Sequence, residues 1–184
     1  MTRRKLLGAS AASLSVVGAV VLVGLAGHFA VLRDDDDDDD DEGQEALSKV
    51  IRFTKVNLQQ GLTAGEQEGQ PIAGKFEVDK RKFQLSVYTA KDGKFSEVLV
   101  DPADGNVAKV EPITKADDLA TAQSQSAAMT SAKISLKDAV DKALGEAAGA
   151  HVVGVIPNLK EGHPVASVVF LKGEQFTIVQ QPLD

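Results

Sequence analysis

From Asn57 to its last residue the chain states one pattern twice, and this repetition limits the folds open to it more than any single motif does. Asn57-Leu58-Gln59-Gln60-Gly61-Leu62 and Ser135-Leu136-Lys137-Asp138-Ala139-Val140 each start with a good helix-capping residue followed by apolar positions four apart. In the second copy Val140, Ala143, Leu144 and Ala147 continue one helical face towards a stop near Gly149. The first copy carries Gly61 and Gly65 inside its helix. The segment Glu45 to Val56, with Leu47, Val50, Ile51 and Phe53, reads as an amphipathic lead-in that supports it.

A strand meander follows each helix. In the first copy Ala73 to Val78 reads as a strand closed by the charged turn Asp79-Lys80-Arg81-Lys82. Phe83, Leu85 and Val87 then alternate with Gln84, Ser86 and Tyr88. Lys91-Asp92-Gly93 turns the chain, Phe95 to Val100 runs back, and Pro102-Ala103-Asp104-Gly105 leads into Val107, Lys109 and Glu111. In the second copy His151 to Ile156, Val165 to Leu171 and Phe176 to Gln180 are separated by Lys160-Glu161-Gly162 and Lys172-Gly173-Glu174. Between the copies Lys115 to Lys133, rich in Ala, Ser, Gln and Thr, predicts a connecting helix beginning near Asp117, with Leu119, Ala122, Ser126 and Met129 as its buried face.

A unit of about 50 residues holds too little apolar surface to stand alone. The expected fold is therefore α+β: two tandem helix-plus-antiparallel-meander repeats sharing one sheet, with the helices on one face and the other face partly wet. The chain divides into residues 44–113 (first repeat with lead-in helix), 114–133 (connection) and 134–184 (second repeat).

What precedes them is an address. Arg3, Arg4 and Lys5 stand before the uncharged stretch Leu6 to Leu32, longer than the ~20 residues needed to span a bilayer. Residues 1–33 are expected to be one transmembrane or signal helix, with the amino terminus in the cytoplasm and the domain facing the periplasm or cell exterior. Thr2-Arg3-Arg4-Lys5-Leu6-Leu7 resembles the twin-arginine export signal, departing from it at Gly8 where a lysine is common. No Ala-x-Ala closes the apolar run, so an uncleaved anchor is expected, with a released periplasmic form as the alternative. Residues 34–43 follow as a spacer. Its aspartates (Asp34, Asp35, Asp36, Asp37, Asp38, Asp39, Asp40 and Asp41) repel one another and are expected to stay extended and solvated.

At Leu99-Val100-Asp101-Pro102-Ala103-Asp104-Gly105-Asn106-Val107 the chain resembles the PepSY family, whose pattern is a short helix, a strand pair around a charged turn, and a strand ending in Asp, a Gly-containing turn and Val. Asp101, Asp104, Gly105 and Val107 carry the match. The second copy lacks that ending and resembles the family through its helix and first hairpin, so the likeness covers residues 55 to 184. Modules of this kind occur in protease propeptides and membrane-tethered envelope proteins. The resemblance implies a non-catalytic interaction or inhibitory role towards an extracytoplasmic peptidase or another envelope partner.

The residues offer little for catalysis. The net charge of -7 is concentrated in the spacer: Asp34 to Glu42 hold nine of 27 acidic residues, leaving 18 against 16 Lys and Arg beyond them. Such a balanced domain has no basic face for nucleic acid. With no cysteine, thiolate sites and disulfides are excluded. His151 and His163 lack the further ligands a zinc site needs, and Ser124, Ser126 and Ser131 sit outside any Gly-x-Ser-x-Gly elbow. Asp101, Asp104 and Gly105 have turn spacing rather than calcium-loop spacing. No catalytic residue, cofactor site or caged metal site is expected. Two other readings stay open: an acidic cation-binding protein in which Asp34 to Asp41 form a weak sink for calcium-like ions, and a structural envelope protein.

Overall fold

The computed structural model describes residues 38–184 apart from positions 80, 146 and 148, with side chains from Gly43 onward. The expected membrane segment over residues 1–33, Arg3, Arg4 and Asp34 to Asp37 lie outside the described residues. Among the described residues no helix is long and apolar enough to cross a membrane.

The chain is a mixed α+β fold built on one seven-stranded antiparallel sheet. α1 (Asp38–Val50) passes through a 3₁₀ turn (Ile51–Phe53) into α2 (Leu58–Gly65). Four strands follow: β1 (Gln70–Asp79), β2 (Lys82–Lys91), β3 (Lys94–Val100) and β4 (Val107–Pro112). α3 (Ala116–Ser131) then leads to α4 (Leu136–Leu144), β5 (His151–Lys160), β6 (His163–Lys172) and β7 (Gln175–Pro182). The strand order is β4-β3-β2-β1-β5-β6-β7, so each half is a meander running outward from a central β1–β5 join.

The halves repeat in detail. Both helices open with a capping box: Asn57 with Gln60, and Ser135 with Asp138. Each box pairs two backbone N–H groups that would otherwise be orphaned at the helix start. The β1/β2 ladder slips at Ile72 and the β5/β6 ladder at Val153, positions 81 apart (153 less 72). At the join Gly74 faces Val155, again 81 apart (155 less 74), and Lys75 faces Gly154. A pseudo-twofold axis therefore passes between Gly74 and Val155. Two hairpins at non-equivalent places, the β2/β3 turn Asp92-Gly93 and the β5/β6 turn Glu161-Gly162, have positive φ at both residues (51° and 74°; 53° and 86°), as two-residue turns with right-handed strand twist require.

α2 and α4 pack on one face of the sheet. There Leu58, Leu62, Phe76, Leu85, Val87, Val140, Val155, Val168 and Phe170 are fully or almost fully buried. The glycines of α2 let it sit close: a Cβ at Gly65 would lie 2.5 Å from Val87 Cγ1, and one at Gly61 would collide with the Leu85 side chain. The second half solves the same contact with other volumes. Ala139 and Ala143 replace Gly61 and Gly65, and Ala166 stands where the first half has Leu85.

Several expectations are corrected. The second face of the sheet is partly wet, as expected, along its outer strands, but its centre is covered by a helix that was expected on the other face. α3 packs on β1, β2, β5 and β6, with neither α2 nor α4 among its main neighbours, so it crosses that opposite face. Under it Gln84, Ser86 and Tyr88, the polar half of the β2 alternation, are all buried. α3 turns Ala122, Gln125, Ala128 and Met129 inward, while Leu119 and Ser126 are only partly covered. α1 starts inside the acidic run, at Asp38, where an extended spacer was expected. Free N–H groups and the positive end of the helix dipole make a helix's first turn the place where negative charge is tolerated. Phe53 is 68 % exposed rather than part of the buried lead-in face, with the Arg52 guanidinium 4.9 Å above its ring. α4 ends at Leu144 with Gly145 as its cap, short of Gly149.

Gly61→Ala is expected to destabilise the fold by about 1–3 kcal/mol, because strain against Leu85 outweighs the ~1 kcal/mol of helix propensity that alanine brings. Denaturant unfolding of Gly61→Ala, alone and with Leu85→Val, checks this: the second change should restore part of the loss.

Candidate functional site

Three features could carry function: a polar seam inside the second face, a cleft at one end of the helices, and the two outer strands.

The seam is built by cross-strand register. Lys75 lies opposite Ser86, Glu77 opposite Gln84, and Tyr88 between Ala73 and Glu97, all pointing to the second face. Lys75 Nζ is 2.6 Å from Glu77 Oε2, with both side chains largely buried. Ser86 Oγ donates to Glu77 Oε1 at 2.6 Å and Gln84 Nε2 to the same oxygen at 3.2 Å. A buried ion pair keeps its charges only with such additional donors. The Tyr88 hydroxyl and Gln125 Oε1 are buried without hydrogen-bond partners. Burial, with the charges of Glu77 and Glu97, pushes the Tyr88 phenol well above its ordinary range. Burial also raises the Glu97 carboxyl. Of the seam's two part-buried carboxylates, Glu77 is already engaged by Lys75, Ser86 and Gln84, and Glu97 stands across the ladder from Tyr88.

The cleft, about 450 Å³, opens between the end of α2 and the α3–α4 connection. Leu62, Pro71, Met129, Ile134 and Leu136 line it, and Lys137 bridges to Glu66 at 3.1 Å across its rim. Its one hydroxyl, that of Ser135, is committed to the α4 cap, 2.7 Å from Asp138 Oδ2. The cleft can accept an apolar side chain, and its charged side chains, Glu66, Lys133 and Lys137, are part of its lining.

The residues singled out from the sequence do not converge. Asp101, Asp104, Gly105 and Val107 lie at one corner, where β3 passes into β4. Asp101 Oδ1 accepts from Ala103 N at 2.8 Å, Asp104 Oδ1 from Asn106 N at 2.9 Å, and the Asp101 carbonyl from Gly105 N at 2.8 Å. Gly105 has φ +80°. The carboxylates thus hold a backbone turn, and the turn is tied to the lead-in segment through Lys55 N donating to the Pro102 carbonyl at 2.9 Å. His151 and His163 stand at opposite ends of the β5/β6 hairpin, and His163 Nδ1 lies 3.1 Å from Asp184 Oδ2. Among the described residues no three His, Asp or Glu side chains gather to hold a metal. Asp38 to Asp41 lie within the first turns of α1.

The outer strands differ in character. β4 is exposed along most of its length and carries Lys109, Glu111 and Pro112, with Lys109 Nζ 2.7 Å from Glu111 Oε1. Charge and proline of this kind discourage pairing with foreign strands. β7, Gln175 to Pro182, has no charged residue. Lys172 pairs with Gln175 across a two-residue turn, and Leu183 N donates to the Pro164 carbonyl at 2.9 Å. Odd-numbered residues of β7 therefore bond to β6, and Phe176, Ile178 and Gln180 turn their backbone groups outward. Among the described residues no strand pairs with that edge.

Sequence reasoning missed both the seam and the edge. Alternation of Gln84, Ser86 and Tyr88 with apolar residues reads the same whether the polar face meets water or a helix. Edge position is a property of strand order, which no local pattern carries. Compared with protein-family models, curated proteins and solved structures, the chain matches none.

Because the raised Glu97 pKa means the folded state holds that proton more tightly than the unfolded one, the group lowers stability above the raised pKa and ceases to do so as pH falls through it. Glu97→Gln should raise the melting temperature at neutral pH and flatten its rise on mild acidification, as a thermal-melt series against pH would read. Tyr88→Phe removes an unpaired buried hydroxyl. It should leave stability unchanged or raise it by up to about 1–3 kcal/mol, measured by denaturant unfolding.

Proposed function

We propose that this chain is a non-catalytic envelope protein, a degenerate tandem of the PepSY kind tethered by its N-terminal segment, that binds an extended segment of an extracytoplasmic peptidase or a comparable envelope partner on the free edge of β7. The observation that carries this reading is the uncharged outer strand with the outward backbone groups of Phe176, Ile178 and Gln180. An added strand draws affinity from main-chain hydrogen bonds and specificity from alternate side chains. Thr177, Ile178 and Val179 supply the β-branched character that such pairing favours. The PepSY reading is supported by the helix-and-meander succession of both halves and by the Asp101–Val107 corner. The polar seam adds a rigid, water-poor floor behind the sheet rather than a reaction centre.

The test is photo-crosslinking in the native envelope with a reactive residue at Ile178, and at Glu68 in the exposed turn after α2 as control. The expected result is one product from Ile178, absent from Glu68, whose partner has peptidase activity. Gln180→Pro, which removes an outward N–H and leaves the β6 ladder intact, should cut its yield by roughly tenfold through the lost bond and the steric block. Equal labelling from both positions would refute the proposal.

A further inference from the structure

The opposite edge, β4, is self-complementary, and from it we infer that the protein pairs with a second copy of itself through antiparallel β4–β4 contact, extending the sheet across a twofold axis at Val110. The inference rests on β4 alone and is independent of what binds β7.

Backbone direction comes first. Ile113 N donates to the Phe95 carbonyl at 3.0 Å, so residue 113 turns towards β3. In an antiparallel ladder alternate residues turn the same way. Glu111, opposite Glu97, and Lys109, opposite Leu99, therefore also bond inward, while Val110 and Pro112 turn outward. Proline sits where its missing N–H would have faced solvent, which leaves Val110 as the central outward donor and acceptor. A twofold axis beside Val110 lets the two copies of that residue exchange both N–H···O bonds.

Charge then selects the register. With Val110 opposite Val110, Lys109 of each copy lies opposite Glu111 of the other, twice over. Sliding by one step of the ladder in one direction sets Lys109 against Lys109, and in the other sets Glu111 against Glu111. Like charges directly opposite one another destabilise a strand pair, and opposite charges support it. Only the register centred on Val110 satisfies every charge. It also extends the in-chain Lys109–Glu111 pair into an alternating group of four. On the other side of the strands Val110, 40 % exposed, meets its counterpart and loses water. Six residues a side make a small interface, so pairing is weak in dilute solution and grows where chains are concentrated.

The chain has no cysteine, so Val110→Cys introduces a single thiol at the axis. A hydrogen-bonded antiparallel pair holds its Cα atoms about 5.5 Å apart, inside the range of roughly 4.4–6.8 Å that a disulfide spans. In the full chain, in its membrane or in mild detergent, mild oxidation should yield a disulfide dimer at least about tenfold faster than Glu68→Cys, since pairing pre-positions the two thiols. Adding Lys109→Glu should cut that rate by about tenfold by replacing two attractions with two repulsions. Lys109→Glu with Glu111→Lys should restore it. Melting temperatures of all variants would show that the fold persists. The inference falls if Val110→Cys and Glu68→Cys oxidise at the same rate, if Lys109→Glu changes nothing, or if the double reversal fails to recover dimer.

Discussion

Everything in this molecule hangs on a short antiparallel contact at its centre, where Gly74 meets Val155 and Lys75 meets Gly154. Each half is a meander with one helix on the shared face, a unit with little apolar surface to bury by itself. Joining them edge to edge makes one sheet with a shared helical layer and removes two of the four strand edges that separate meanders would expose. The glycines at the join allow it. A Cβ at Gly74 would stand 3.0 Å from Leu62 Cδ2, so the bare backbone lets α2 lie directly over the seam between the halves.

The same join creates the asymmetry from which function can grow. The first half has a fourth strand and the second does not, so the sheet ends in two unlike edges, β4 and β7. Both end in a proline, but β4 carries charge and β7 does not. The long passage from β4 back to α4 is α3, which crosses the second face on its way. Covering a face that is half polar would be costly without compensation. The Lys75–Glu77 pair and the donors Ser86 and Gln84 provide most of it, leaving Tyr88 and Gln125 with a residual cost. The interior thus carries polar groups that order the sheet without converging on a substrate-sized space.

Much of this was legible in the residues. Asn57 and Ser135 announced two helices through their caps, and turn pairs such as Asp92-Gly93 and Glu161-Gly162 announced the hairpins, because capping and positive φ are local demands that few residue types meet. The corner at Asp101 to Val107 read as a turn and is one. The helical end of the acidic run is not legible from charge repulsion alone, because the helix dipole offsets it. Nor is the exposure of Phe53, because an apolar side chain at helical spacing says nothing of whether a neighbour stands opposite.

The sequence by itself determined the elements, their order and the doubling, since all three follow from short-range sterics, capping and periodicity. Only the tertiary structure decided which strands meet at the middle, that α3 covers the centre of the second face, and which edges remain open. Those outcomes depend on contacts between residues some 80 positions apart, as Gly74 and Val155 are. No local pattern specifies such a partner until the whole chain has closed upon itself.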